Sequence, residues 1–131
     1  MKKIKAIMIK PNETPQTTEL KVSIDEFNKA VSVDTDYDCL ARCKKLEKGV
    51  YILYADESTT FMFAPNRRYD DSIICGIFYI IGAKDNLPVS LTDSQIVKYT
   101  NMFAIPEEIS EQEALFHCLN DVCKEIDDIY L

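Results

Sequence analysis

Apolar residues crowd most densely between Ile73 and Ala83 (IICGIFYIIGA), a β-branched and aromatic run with Asp70-Asp71 before it and Lys84-Asp85-Asn86 after it. An apolar run without polar alternation predicts one strand buried on both faces. It is too short to cross a membrane, which takes roughly 20 residues. After a loop from Asp85 to Ser90, Thr92 and Gln95 stand at the spacing of a capping box, and Leu91 and Ile96 at that of a hydrophobic staple. A helix is therefore predicted to start at Thr92.

The remaining pattern is read in chain order. Lys3 to Lys10 reads as a strand, followed by a proline-containing loop and then by Thr18 to Val22, where Leu20 and Val22 alternate with charged residues, and the two are expected to pair as a hairpin. Ser23 with Glu26, and Val22 with Phe27, predict a short helix that ends near Ser32 and buries Phe27, Ala30 and Val31. Tyr37 to Lys45 reads as a strand with Tyr37, Cys39, Ala41 and Cys43 on one face. Leu46-Glu47-Lys48-Gly49 turns into an apolar strand, Val50 to Ala55. Phe61 to Ala64 suggests a short strand, and Pro65-Asn66-Arg67-Arg68 a turn.

Ile105-Pro106 breaks the chain before Ser110 and Glu113, a third capping-box pair, which opens a helix over about 110–128. Leu115, Leu119, Val122, Ile126 and Ile129 form its stripe, with Glu113, Asp121, Glu125, Asp127 and Asp128 over much of the rest. The expected fold is α+β, a single domain over 1–131 with a mostly antiparallel sheet of about five strands covered by two to three helices on one face. The apolar stripe is expected to fold back onto the sheet of its own chain, giving a monomer, because two acidic helices repel across a homodimer axis.

Composition narrows the class. A chain of 131 residues with 47% hydrophobic and 28% charged positions, three glycines and five prolines is that of a folded globular protein. The opening MKKIKAIMIKP is basic, but Lys10 stops its apolar segment short of the roughly 7–15 residues of a secretion signal, so a cytoplasmic protein off the membrane is expected. Its five cysteines, with no CxxC among them, are then expected as free thiols packed like small apolar groups. Charges balance from Met1 to Pro106. From Glu107 onward Lys124 alone stands against eight carboxylates, so this tail carries the net charge of −7. Direct binding to nucleic-acid phosphates is not expected of it.

Candidate chemistry is sparse. Asp34, Asp36 and Asp38 begin an EF-hand spacing, but Cys39 stands where glycine is needed and Lys45 where a bidentate glutamate is needed. Cys39 and Cys43 on one strand lie about 13 Å apart, too far for one zinc, and Cys118 and Cys123 fall on different sides of a helix. His117, the only histidine, sits among acidic residues on the polar side of the last helix. Gly76 and Gly82 fit a strand bend or close helix packing and not a phosphate loop. No metal or cofactor is implied. The best ligand-binding candidates are Asn66, Arg67 and Arg68, a donor-rich turn suited to a carboxylate or phosphate, with Tyr51, Tyr54, Phe61 and Phe63 as walls. The competing reading pairs both arginines with Asp70 and Asp71 at the surface.

Two motifs carry a family resemblance: Gly76-x-Phe78-Tyr79-Ile80-Ile81-Gly82, and Leu91-Thr92-Asp93-x-Gln95-Ile96-x-Lys98-Tyr99, with Asn66-Arg67 upstream. Together they resemble the domain-of-unknown-function family numbered thirty-eight forty-six, small proteins of phages, plasmids and gut bacteria. The likeness is good from about Asn66 to Pro106 and weak at the N-terminus, and it implies a setting in mobile elements and no chemistry. The leading expectation is a non-enzymatic protein that binds another protein, with Asp121, Glu125, Asp127 and Asp128 facing a basic groove on a host nuclease or defence factor. The alternative is a nucleotide-like small ligand at Asn66–Arg68. An enzyme ranks third.

Overall fold

In the computed structural model, which describes residues 2–56, 63–69, 72–117 and 119, the elements in chain order are β1 (Lys3–Ile9), β2 (Gln16–Lys21), α1 (Ile24–Val31), β3 (Ala41–Glu47), β4 (Val50–Ala55), β5 (Pro65–Tyr69), β6 (Ser72–Cys75), β7 (Phe78–Lys84), β8 (Leu87–Val89) and α2 (Asp93–Met102). Residues 111–117 form a further helical stretch. The architecture is α+β with a mostly antiparallel sheet, as expected.

The main sheet runs β2-β1-β7-β4-β3, with β8 also paired to β7, and every pairing in it is antiparallel. Gly82 pairs Val50 of β4 on one side and Val89 of β8 on the other, so β8 takes over the edge of β7 that β1 covers further back. What was expected as a loop from Asp85 to Ser90 is thus a tight hairpin. Asp85 and Asn86, with φ of 54° and 64°, make the two-residue turn whose twist suits flanking strands.

The long apolar run is two strands and not one. Gly76, at φ +78°, breaks it, so that β6 pairs with β5 as a separate two-stranded sheet and β7 enters the centre of the main one. Only glycine takes that backbone conformation without penalty. The expected Pro65–Arg68 turn is likewise corrected to a strand, β5, and the part of the Phe61–Ala64 strand that lies among the described residues, Phe63 and Ala64, is irregular.

Both faces of the main sheet are covered, which corrects the expectation of one. On the first face Ile4, Ala6, Leu53, Ala55, Tyr79 and Ile81 pack with Val31, Phe27 and Ala30 of α1. On the second, Ile7, Ile9, Val50, Ile52, Phe78 and Ile80 pack with Leu91, Ile96, Tyr99 and Phe103 from α2 and its flanks. The period of two in β1, β4 and β7 divides their side chains between the two cores. Because an apolar side chain buried here contributes about 1.5–3 kcal/mol, neither face can be left open.

Helix starts follow the sequence. Thr92 and Gln95 form the reciprocal capping box, and the buried Leu91 lies beside Ile96. Ser23 accepts from the Glu26 N–H at 3.0 Å, and Ser32 ends α1. The strand expected from Tyr37 begins only at Ala41. There Ala41 faces Ala55, the last residue of β4, and the N–H groups of Cys39 and Ala41 are taken by Ser32 Oγ and Asn28 Oδ1 of the α1 region. Of the two cysteines expected in the core, Cys39 is buried and Cys43 is exposed, because Cys43 lies on the edge strand.

Candidate functional site

Asn66 and Arg67 were expected to line a surface turn, yet they are 0% and 1% exposed. The register of β5 on β6 shifts between Pro65 and Arg67, which leaves Asn66 as an extra, bulged residue. A bulge re-aims a side chain. Asn66 Nδ2 donates to the carbonyls of Ile9 at 3.0 Å and Gly76 at 2.7 Å, and its Oδ1 accepts from Arg67 Nη1 at 2.8 Å. Arg67 also donates from Nη1 to the Asn66 carbonyl, from Nη2 to those of Glu13 and Phe103, and from Nε to that of Phe103.

All five donors of the guanidinium fork thereby reach acceptors, and four of those contacts are to backbone carbonyls. Desolvation lowers the pKa of this buried cation, with the field of Glu107 acting the other way. The node ties the β5–β6 hairpin to the end of β1, the β1–β2 loop and the end of α2. Its donors are spent inside the protein, so neither residue reaches a ligand in this conformation.

Arg68 alone of the three faces outward. It meets Glu107 at 3.2 Å and Glu113 at 2.7 Å, and these carboxylates raise its pKa, Glu113 foremost. The expected partners Asp70 and Asp71 lie outside the described residues. A groove of about 470 Å³ runs beside Arg68, between Tyr69, Asn101, Met102, Ile105 and Glu107. The proposed aromatic walls do not meet there. Tyr51 and Phe63 pack at the first core and Tyr54 at the second, while Phe61 lies outside the described residues.

The acidic candidates Asp121, Glu125, Asp127 and Asp128 also lie outside the described residues, as do Val122, Ile126 and Ile129 of the apolar stripe. What is described of that helix differs from expectation. Ala114 is its buried residue, 4% exposed, against Ile73 and Cys75 of the small hairpin, whereas Leu115, Phe116 and Leu119 are 36%, 66% and 55% exposed. The small Ala114 side chain permits a close approach to β6, and the Glu113–Arg68 pair fixes which side turns inward. His117 on this helix stands edge-on to Phe116.

A second polar cluster had no signal in the sequence beyond its residue types. Glu47 accepts hydrogen bonds from Tyr99 and from Lys98 at 3.0 Å, the first of which holds its carboxyl below the usual range. Burial, and then this bond, raises the Tyr99 phenol far above its ordinary pKa. A register shift between Lys45 and Glu47 aims the carboxylate at α2. These side chains are 51 and 52 residues from Glu47; only pairing through the fold joins them.

Asp34, Asp36 and Asp38 do not gather as ligands: Asp34 pairs with Lys10 at 3.0 Å. Among the described residues no three His, Cys, Asp or Glu side chains stand together as metal ligands, and no helix is long and apolar enough to cross a membrane. Comparison with protein families matches residues 4–104 to the one described as Domain of unknown function (DUF3846). The match takes in β1 and β2, where the motifs alone resemble the family weakly, and ends before the last helix. No curated protein and no solved structure matches the chain.

Proposed function

The chain belongs to the family Domain of unknown function (DUF3846), and on that premise we propose that it is a non-enzymatic, cytoplasmic, monomeric protein that binds another protein through its C-terminal helix. The observation that carries this reading is the exposure of Leu115, Phe116 and Leu119 on one helix that is already anchored by Ala114. An apolar stripe in water beside carboxylates suits a partner that presents a groove with a basic rim. The sequence continues both features past the described residues, with Val122 and Ile126 in the stripe and Asp121, Glu125, Asp127 and Asp128 around it.

A groove built for nucleic-acid phosphates is the kind of surface such a helix would occupy, and a mobile-element protein would find it on a host nuclease or defence factor. The competing role of the carboxylates is solubility alone. Affinity capture from host lysate separates the two when three baits are compared: the intact protein, a variant with Asp121, Glu125, Asp127 and Asp128 changed to Asn or Gln, and Phe116→Ala/Leu119→Ala. A partner held by the intact protein and lost from both variants supports the proposal. Equal recovery on all three baits would remove it.

A further inference from the structure

We propose that the end of the main sheet carries a second binding site, for a nucleoside polyphosphate, in an open cleft of about 530 Å³ lined by three lysines. The cleft lies between two hairpin turns, Lys48-Gly49 after β3 and Asp85-Asn86 after β7, which the bond from the Ala83 N–H to the Gly49 carbonyl at 2.9 Å holds side by side. Its floor is apolar and aromatic: Tyr51, Ile81 and Ala83. These belong to the first face of the sheet, and none of the cleft's walls comes from α1, which covers that face further along.

Lys45, Lys48 and Lys84 stand around this floor against one carboxylate, Asp85. None of the three makes an ion pair with a described residue, which is also true of Lys2, Lys3, Lys21 and Lys44; what sets Lys45, Lys48 and Lys84 apart is that they line one cleft. In a protein of net charge −7, three ammonium groups without a carboxylate partner among the described residues, lining one concavity, mark a place for negative charge. Lysine binds phosphate as a point charge, and an aromatic floor beside it offers a base a surface to stack on. The volume falls in the range of small-molecule sites, about 300–1,000 Å³. A polynucleotide would have to leave the cleft and run over surface where acidic residues offset the basic ones, which a compact anion need not do. The chemistry expected of Asn66–Arg68 is thus offered elsewhere, by residues 45, 48 and 84, which the two turns bring together.

The test is calorimetric titration of the full chain with ATP and GTP, with inorganic triphosphate and a ten-nucleotide oligothymidylate as comparison ligands. Expected are saturable binding of a nucleotide that weakens with added salt, a preference of about tenfold over inorganic triphosphate from stacking, and a loss of about tenfold or more in Lys48→Ala/Lys84→Ala. Both lysines are exposed, so circular dichroism should show the variant folded. Cys43 lines the same cleft and gives an independent readout: bound nucleotide should slow its alkylation, followed by mass spectrometry of its peptide. Any one of these results overturns the proposal: no saturation by either nucleotide at millimolar concentration, equal affinity for inorganic triphosphate, tighter binding of the oligonucleotide, or unchanged binding by the lysine variant. The helix-borne protein binding proposed above is untouched by either outcome.

Discussion

Arg67 is a cation without a carboxylate partner within hydrogen-bond reach among the described residues, held in place by carbonyl oxygens. That arrangement depends on the planar fork, because the acceptors of Glu13, Asn66 and Phe103 lie on different sides of it. Lysine presents a single ammonium group and cannot reach all of them. Arg67→Lys is therefore expected to cost about 2–3 kcal/mol, since each buried acceptor left without a donor costs roughly 1–3 kcal/mol. Asn66→Ala strips the Ile9 and Gly76 carbonyls of their donor and should cost a similar amount. Urea denaturation of both variants checks this, and a stability loss below 0.5 kcal/mol, the ordinary range of surface substitutions, would show that the node is not structural. The Asn66-Arg67 pair is on this account a fastening of the fold.

Among the elements, the β5–β6 hairpin is the one whose place is set least by its own sequence. Gly76 lets the chain leave β6 for β7, and its missing Cβ leaves room for the Phe63 ring, which an alanine there would meet at 3.2 Å. Gly76→Ala combines a left-handed backbone with that contact and is expected to cost about 1–2 kcal/mol or more. Thermal denaturation measures it, and an unchanged midpoint would place the break elsewhere. The three capping signals at Ser23, Thr92 and Ser110 were legible because a cap is local, its donor and acceptor three residues apart. The turn expected at Pro65–Arg68 was not, because polar residues in a strand look like a turn until their partners are known, and those partners come from residues 9, 13, 76 and 103.

At the scale of the whole molecule, the last helix closes over the small hairpin, where Ala114 shields Ile73 and Cys75 and Glu113 holds Arg68. Truncation before Ser110 is expected to destabilise the protein by about 1–3 kcal/mol, the worth of a few partly buried apolar groups, and sedimentation of the intact chain is expected to show a monomer. A dimer that dissociates into folded monomers on truncation would instead place the apolar stripe between two chains. By itself the sequence determined the α+β class, the first hairpin, the three helix starts, the Val50–Ala55 strand and the family, because each rests on a local period, a cap or a motif. Only the tertiary structure decided that both sheet faces are covered, that Asn66 and Arg67 point inward, that Glu47 meets Tyr99, and that residues 45, 48 and 84 share a cleft. Each of those depends on which strand lies beside which, and the alternation of a strand says that it has two faces without saying what covers them.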